Sequence, residues 1–224
     1  MLEFLLAVLV FLAAHILPAA TGLRACLIDR FGRRSYIAAY SLLSLASIAW
    51  VIAAALAAPY IEIWPRGRTT ALVPILAMLP ACILLAGAAL QPAPLSVSFR
   101  GGLPNPGKAG VVATIRHPIL WAFFLWSAAH LVANGDLVSL ILFGSLAIFS
   151  LAGRGRLERR ARLRLSEADY ALALSLTSGG LAARLKRTSA LRSLGDLCVG
   201  ILLYVALLHL HDPVIGVAPL AYFA

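Results

Sequence analysis

The sequence has few charged residues, since Asp, Glu, Lys and Arg make up only 12% of its 224 residues. Soluble domains carry about 25% charged residues, so this chain lacks the polar surface that a water-soluble fold of its size needs. Hydrophobic residues make up 62% of it and occur in long runs. Such a composition requires hydrocarbon as the solvent, and the sequence therefore predicts an integral membrane protein.

Several motifs are also absent. The sequence has no HExxH zinc motif, no Walker A loop and no GxSxG nucleophile motif, and its few acids lie near the ends of apolar runs, which disfavours an acid–base hydrolase. The three cysteines, Cys26, Cys82 and Cys198, match no metal spacing, and we expect free, mostly buried thiols. The net charge is +10, but the sequence contains no nucleic-acid-binding module.

Six apolar runs approach the roughly 20 residues that a membrane span requires. They are Leu2–Ala20, Tyr36–Ala57, Ala71–Leu90, Pro118–Ala133, Leu137–Ala152 and Leu194–His211. The fourth and fifth are joined by Asn134-Gly135-Asp136, which is typical of a tight turn. The sequence predicts an all-α, polytopic helix bundle with six transmembrane helices, forming a single domain over residues 1–224.

The basic residues predict how this bundle is oriented. Loops one, three and five hold 17 of the 19 Lys and Arg residues. The positive-inside rule places these loops in the cytoplasm, and both termini on the outer, periplasmic side of a bacterial inner membrane. The basic cytoplasmic loop at about 153–192 faces anionic lipid headgroups. Its first part, Leu157–Leu174, is predicted to be a helix on the membrane surface.

Two smaller patterns have structural interpretations. Ser193 followed by Asp196 is typical of a capping box and predicts the start of the last spanning helix. A stripe of small and hydroxyl side chains within 36–47 indicates close helix packing or contact with a cofactor.

Histidines are the main candidates for chemistry, because ionisable groups inside a bilayer are costly and tend to be functional. All five lie in or at the ends of the apolar runs: His15, His117, His130, His209 and His211. A lone intramembrane histidine such as His15 has two interpretations. It binds a cofactor, or its ring bonds the backbone of a neighbouring helix.

The fourth span is the richest in such side chains. Arg116 and His117 lie at its cytoplasmic mouth, directly before a proline, which is favoured in a first helical turn. Steps of four then place Trp126, His130 and Asn134 on one helix face. This alignment suits a flat cofactor with a metal centre. It equally suits an interfacial belt that anchors a helix end, and the spacing alone favours neither.

Three parts of the chain resemble a known family. The segment RHPILWAFFLWSAAHLVANGDLVSLILFGSLA, residues 116–147, resembles the signature of the NnrU family of bacterial membrane proteins. His15, Arg24 and the helix that follows resemble the family's first hairpin. The closing segment His211–Pro219 resembles its last motif, with Ala218 in place of serine. The resemblance extends over nearly the whole chain.

This resemblance carries functional expectations. The family is associated with denitrification, namely with nitrite and nitric oxide reductases, whose components are the implied partners. It is also similar to the plastid 15-cis-zeta-carotene isomerase, which binds haem b, so haem b and redox or isomerase chemistry are implied. The matching histidines are His15 and His130, as ligands of the haem iron. The candidate cofactor-binding set also includes Arg116, His117, Trp126 and Asn134.

Depth in the bilayer favours a different pair of ligands. At a rise of about 1.5 Å per residue, His15 lies roughly 20 Å below the outer face, whereas His130 and His209 lie about 6 Å and about 8 Å below it. Two axial ligands of one iron need similar depths. His209 is therefore the alternative partner of His130.

A second resemblance implies another chemistry. Arg116-His117-Pro118 resembles the RHP motif of isoprenylcysteine and phospholipid methyltransferases, and the spacing of Glu158 and Tyr170 resembles their later Glu…Tyr segment. It implies S-adenosylmethionine at the cytoplasmic face, with Arg116 pairing the cofactor's carboxylate. A third interpretation is a non-catalytic accessory protein for a reductase, so the sequence leaves open whether the chain is an enzyme.

Overall fold

The structure is a computed structural model that describes residues 1–103, 105 and 107–223. It is 77% helical, and no β-strand forms within those residues, which confirms the all-α class. The helices of this part of the chain are α1 (Leu2–Ala20), α2 (Leu23–Phe31), α3 (Arg33–Ala57), α4 (Arg68–Leu90), α5 (Pro118–Asn134), α6 (Leu137–Arg164), α7 (Glu167–Thr177), α8 (Leu181–Leu185) and α9 (Ala190–Ile215). Short 3-10 helices cover Val111–Thr114 and Ala221–Phe223.

Four helices, α3, α4, α6 and α9, are long and apolar enough to cross a membrane. The pair α1 and α2, bent by 76°, adds a fifth span if it is counted as one broken helix. With 17 residues, α5 is apolar but shorter than the others. The chain is thus helical at each of the six predicted positions, and length and composition support four or five spans. Many large apolar side chains on these helices are exposed, as a lipid-facing surface requires.

The basic segment after the fifth apolar run is mostly helical. Helix α6 continues through it to Arg164, and α7 begins at Glu167 after its N-cap Ser166, whose hydroxyl accepts a hydrogen bond from the Asp169 backbone N–H. The segment Leu157–Leu174 is therefore mostly helical, but the prediction of one continuous helix is wrong, and its place on the membrane surface stays a prediction. Its first part extends α6, whereas its second part has its own N-cap.

The last helix begins before the predicted capping box. Ser189 is its N-cap, with a hydroxyl that accepts from the Arg192 backbone N–H. Ser193 lies inside the helix, and the Asp196 carboxylate bonds to groups outside it. The predicted capping box at Ser193 and Asp196 is therefore wrong.

Two loop predictions have different outcomes. The turn between α5 and α6 is confirmed, because Gly135 adopts a left-handed conformation with φ +66°. A side chain at this position would collide with the Trp64 carbonyl oxygen. The loop Gln91–Gly110 forms turns and bends in its described part. Pro104 and Pro106 of this loop lie outside the described residues.

The three cysteines are free thiols. Cys82 is buried in α4, whereas Cys26 and Cys198 are exposed on α2 and α9. The expectation of mostly buried thiols is therefore wrong. A thiol behaves as a small apolar group. The exposed Cys26 and Cys198 are therefore compatible with a helix surface that faces lipid.

The chain forms two compact units, of which the first comprises Met1–Glu62 and Asp136–Val138. In it, α1 packs against α3 around the fully buried side chains of Phe4, Ala7 and Val51. These apolar contacts hold the helix that carries His15.

The second unit comprises Ile63–Gly135 and Ser139–Ala224. Its central contacts are those of α4 with α5 and with α9. Gly200 of α9 approaches α4 so closely that a Cβ there would come within 2.5 Å of the Ile83 Cα atom. Small residues permit such close helix approach in membranes. This packing fixes α5 and α9, which carry three of the five histidines, and His117 directly precedes α5.

Candidate functional site

The first end of α5 directs a histidine into the protein. Pro118 takes the first helical position, and His117 before it has a left-handed backbone with φ 61° and ψ 52°. His117 is the only non-glycine with a positive φ in the part of the chain that the structure describes. The left-handed conformation costs such a residue about 1–2 kcal/mol, so the surrounding fold must hold it. The side chain is only 3% exposed.

The His117 imidazole lies beside a pocket and lacks a hydrogen-bond partner. Neither Nδ1 nor Nε2 bonds to a group among the described residues, and the same is true of the Ser96 hydroxyl in this pocket. The pocket encloses a cavity of about 20 Å³, roughly the space of one water molecule, and its lining is mainly apolar. Buried polar groups are rarely left unpaired. These three atoms therefore indicate a position for water or for the polar part of a ligand.

The protonation state of His117 follows from its surroundings. Burial lowers its pKa from the ordinary value of 6.5. The nearby Glu158 opposes this effect, whereas Arg116 and Arg154 lower the pKa further. The ring is therefore neutral at pH 7, with one nitrogen that donates a hydrogen bond and one that accepts.

Charged side chains meet at this end of α5. Arg116 forms an ion pair with Glu158 of α6, with 2.9 Å between Nη1 and Oε1. Its Nε also donates to the Thr177 hydroxyl of α7 at 3.4 Å. The structure thus brings together Arg116, His117 and Glu158, three of the four residues in the methyltransferase resemblance.

Tyr170, the fourth of these residues, packs one layer behind the pocket. Its ring contacts a buried cluster formed by Leu95, Ala161 and Ala173. Leu95 and Ala173 themselves line the pocket beside His117. The Arg162 guanidinium carbon lies 5.9 Å from the centre of the Tyr170 ring, a cation–π contact.

The other end of α5 places His130 among aromatic rings. Its Nδ1 lies 2.8 Å from the Trp126 carbonyl oxygen. Because a carbonyl only accepts, Nδ1 carries the hydrogen and Nε2 of the neutral ring is left as an acceptor. The His130 ring centre lies 5.7 Å from that of Trp126 and 5.4 Å from that of Phe143 on α6. A histidine anchored through one nitrogen, with the other free, is the usual arrangement of a metal ligand.

His211 of α9, which the sequence reasoning did not select as a ligand, completes this ring cluster. Its ring centre lies 6.3 Å from that of His130, and the ring planes differ by 24°. At the end of α9, Gly216 turns the chain with φ +78°, so that the Val217 carbonyl oxygen lies 2.7 Å from His211 Nδ1. In the sequence, the glycine of the closing segment is the signal for this left-handed turn.

Asn134 has a structural role at the end of α5. Its amide Nδ2 donates to the His130 carbonyl oxygen at 2.8 Å, and Arg66 Nε donates to the Asn134 carbonyl oxygen at 2.9 Å. These bonds satisfy carbonyls that a helix end leaves unpaired. The Trp126 ring contacts the His130 ring, whereas the Asn134 side chain contacts the His130 backbone.

The remaining two predicted ligands lie elsewhere. His209 is exposed on α9, and its Nδ1 donates to the carbonyl one turn earlier at 2.9 Å. His15 lies in the first unit, where its Nδ1 donates to the Phe11 carbonyl at 2.7 Å and its ring lies 5.7 Å from that of Tyr40. The pairing of His15 with His130 stays a prediction.

A buried carboxylate supports the pocket beside His117. Asp196 is 2% exposed and accepts from Gln91 Nε2 at 2.6 and 2.7 Å and from the Val112 N–H at 3.2 Å. The Gln91 amide oxygen in turn accepts from the Gly110 N–H at 2.7 Å. Gln91 and Val112 also line the pocket, so this network holds the loop around it. The sequence reasoning missed the network, because Gln91 and Asp196 are 105 residues apart.

A family model for NnrU protein matches residues 3–219 of the chain. The chain belongs to the NnrU family. The match includes all five histidines and both ends of α5, and it confirms the resemblance predicted from the sequence. No curated protein and no solved structure matches this NnrU protein.

No three His, Cys, Asp or Glu side chains come together as a metal-binding group within the described residues. Haem differs from such centres, because its porphyrin supplies most of the iron's ligands and the protein supplies only axial ones. One or two histidines therefore suffice as protein ligands of a haem iron.

Proposed function

We propose that this NnrU protein binds haem b in the bacterial inner membrane and supports nitrite and nitric oxide reduction. The proposal includes six membrane passes with both termini on the periplasmic side, as the distribution of Lys and Arg favours. The observation that carries the haem proposal is the environment of His130. Its Nδ1 is bonded to the backbone, its Nε2 is left as an acceptor, and aromatic rings surround it.

Two features around His130 support the haem proposal. The hydrogen bond to the Trp126 carbonyl fixes the ring orientation of His130 and raises its basicity as a ligand. The Trp126 and Phe143 rings, which meet edge to face with their centres 5.4 Å apart, add apolar surface beside His130. Bound haem would supply ligand binding and one-electron chemistry at its iron. The protein would supply His130 and a dry surrounding.

The second axial ligand has two candidates from the sequence. The family resemblance favours His15, and the estimate of depth favours His209. Both have Nδ1 bonded to a carbonyl of their own helix, so Nε2 of either neutral ring is an acceptor.

The haem proposal is tested by the visible spectrum of the purified protein before and after haem supplementation. We expect a Soret band for the wild type and its loss in His130→Ala. His117→Gln is the matched control, because it changes the histidine at the opposite end of α5 and leaves the His130 rings in place. A wild type without a Soret band after supplementation would contradict the proposal.

The proposed partners are components of nitrite or nitric oxide reductases, on the family resemblance. An accessory protein that assembles or stabilises such a reductase is the non-catalytic form of this proposal. Purification from a denitrifying culture tests it, and we expect a reductase component to co-purify with the wild type. Recovery of the protein alone under several detergents would count against this role.

An S-adenosylmethionine-dependent methyltransferase of lipid-like substrates is the second candidate. It is favoured by the meeting of Arg116, Glu158 and the unpartnered His117 at one end of α5. The same ion pair also opposes it, because Arg116 already holds a carboxylate at 2.9 Å and an incoming cofactor carboxylate would have to displace Glu158. For this reason haem binding is the first proposal.

Calorimetry with S-adenosylmethionine tests the second candidate. If it is correct, the wild type binds the cofactor and Arg116→Ala weakens binding at least tenfold. Arg159→Ala is the control, because Arg159 is exposed on α6 beside Glu158. No binding, or equal binding by the wild type and Arg116→Ala, excludes this function.

A further inference from the structure

A groove lies between the end of α4 and the start of α9. Its volume is about 380 Å³, much larger than that of the cavity beside His117. This volume falls in the range of about 300–1,000 Å³ that is typical of sites for organic ligands. The groove is lined by Leu90, Gln91, Leu191, Arg192, Gly195 and Asp196.

The two helices bring this groove to one side of the membrane. Tyr204 of α9 donates to the Ile75 carbonyl in the first half of α4, at 3.1 Å. Asp196, earlier in α9, accepts from Gln91, which directly follows α4. The helices are therefore antiparallel, so the end of α4 and the start of α9 reach the same side. Both are long and apolar enough to span a bilayer, which places Arg192, in the first turn of α9, at the level of the lipid headgroups.

Arg192 supplies an unpaired positive charge at the groove. Its side chain is exposed, and its guanidinium forms no ion pair or hydrogen bond with any residue that the structure describes. The Asp196 carboxylate also lies in the wall, but it is almost fully buried and is bonded to Gln91 and Val112. The groove therefore presents the charge of Arg192 to a ligand. A guanidinium binds phosphate well, because it can donate two parallel hydrogen bonds.

Apolar side chains adjoin this charge. Leu90 and Leu191 of the lining are exposed, and so is Leu194 on the next turn of α9. In a phospholipid a charged phosphate likewise adjoins apolar chains. Basic pockets between spanning helices are one type of site for lipid headgroups.

We propose that this groove binds the headgroup of an anionic phospholipid, with its phosphate on Arg192 and its acyl chains along the exposed faces of α4 and α9. The proposal places one lipid at a defined position, and so differs from a general attraction of the basic segment to a membrane surface. It requires α4 and α9 to lie in a membrane, and it does not require haem.

The test uses the full-length protein in micelles that contain phosphatidylcholine, titrated with phosphatidylglycerol of the same chain length. We expect phosphatidylglycerol to raise the denaturation midpoint of the wild type, and native mass spectrometry to detect a retained lipid molecule. In Arg192→Gln the apparent affinity for this lipid should fall about tenfold or more, because charge-assisted hydrogen bonds are lost. Arg159→Gln is the matched control, since Arg159 is also exposed but does not line the groove. Equal losses in the two variants would indicate a general surface attraction and overturn the proposal.

Gly195→Leu tests the groove without removing its charge. Nothing lies within 4 Å of a Cβ at Gly195, so the leucine side chain can occupy the groove without a clash at its base. We expect this variant to lose the lipid although Arg192 is present, and to unfold near the wild-type midpoint in phosphatidylcholine alone. It carries the test if Arg192→Gln does not fold. Unchanged lipid affinity in Gly195→Leu would contradict binding in the groove.

The outcomes are independent of the haem proposal. A wild type that the two lipids stabilise equally, and that retains no phosphatidylglycerol, overturns the lipid site whether or not a Soret band is present. A missing Soret band removes the proposed haem function and leaves the lipid result unchanged.

Discussion

The two ends of α5 hold their histidines in opposite ways. His117 is buried with both nitrogens unpaired, in a strained backbone conformation and near charged side chains. His130 has one nitrogen bonded to the backbone and lies among aromatic rings. A single apolar helix of 17 residues therefore presents two different chemical environments.

This difference indicates which chemistry each end supports. An imidazole with two free nitrogens suits hydrogen bonding to water or to a polar ligand. An imidazole with Nδ1 bonded and Nε2 free suits coordination of a metal. The experiments below perturb one end at a time, so that changes at the other end reveal whether the two are independent.

The largest effect is expected from Asp196→Ala, which disrupts the His117 end. The substitution leaves the buried Gln91 amide and Val112 N–H without their acceptor, at a cost of about 3 kcal/mol. We expect lower stability towards denaturation in detergent, with the haem spectrum retained. Asp212→Ala is the control, because Asp212 is exposed on the same helix and should change stability little. Loss of the haem spectrum in Asp196→Ala would show that the two ends are coupled.

A smaller effect is expected from Gly200→Ala, which perturbs the helix that carries His211. The new Cβ would meet the Ile83 backbone, so α9 must move away from α4, at a cost of about 2 kcal/mol. We expect a lower denaturation midpoint and weaker haem binding. In Gly195→Ala nothing lies within 4 Å of the new Cβ, and the gain in helix propensity makes this control neutral or slightly stabilising. Equal stability of the two variants would contradict the close helix contact.

The titration of His117 should produce a moderate pH dependence. Because its pKa in the folded protein is below 6.5, the unfolded chain binds a proton more readily than the folded chain does. This contribution to stability is complete above pH 6.5 and is lost as the pH falls through the pKa of the folded state. Denaturation midpoints measured between about pH 5 and 8 should show the decline, and His117→Asn should reduce it.

Asn is chosen because it tolerates a left-handed backbone better than most residues. A His130→Asn variant measured in the same way separates the two ends of α5. An identical pH profile for wild type and His117→Asn would contradict the assignment of the decline to His117.

The smallest effect is expected from the ion pair at the His117 end. Arg116 and Glu158 are each about one-third exposed, and solvent screening limits such a pair to about 0.5 kcal/mol. A double-mutant cycle with Arg116→Gln and Glu158→Gln measures this coupling. A coupling energy several times larger would show that the pair is more shielded than its exposure indicates.

Sequence patterns predicted helix ends well where residues close in sequence determine them. The bounds of α1 agree with the apolar run Leu2–Ala20, and Pro118 marks the start of α5 as expected. The left-handed Gly135 ends α5 as the Asn-Gly-Asp pattern predicted. These features depend on neighbouring residues, so one sequence is enough to recognise them.

The contacts that define the sites could not be predicted in this way. Asp196 was expected to cap its own helix, but its partners are Gln91 and Val112 on other segments. His211 was placed in a family motif without a role, because its approach to His130 depends on how α5 and α9 pack. Sequence spacing describes one helix face at a time, and it does not specify which faces meet.

Helices α5 and α6 lie antiparallel in the second unit, in one constant register along most of their length. Three pairs of neighbouring residues show this register: Arg116 with Glu158, Leu120 with Gly153, and Leu131 with Gly144. One residue inserted in α6 between Gly144 and Gly153 would rotate the two halves of the helix by about 100° relative to each other. Phe143 at His130 and Glu158 at Arg116 could then not both keep their contacts. The number of residues in α6 between Phe143 and Glu158 therefore determines whether both ends of α5 keep their contacts.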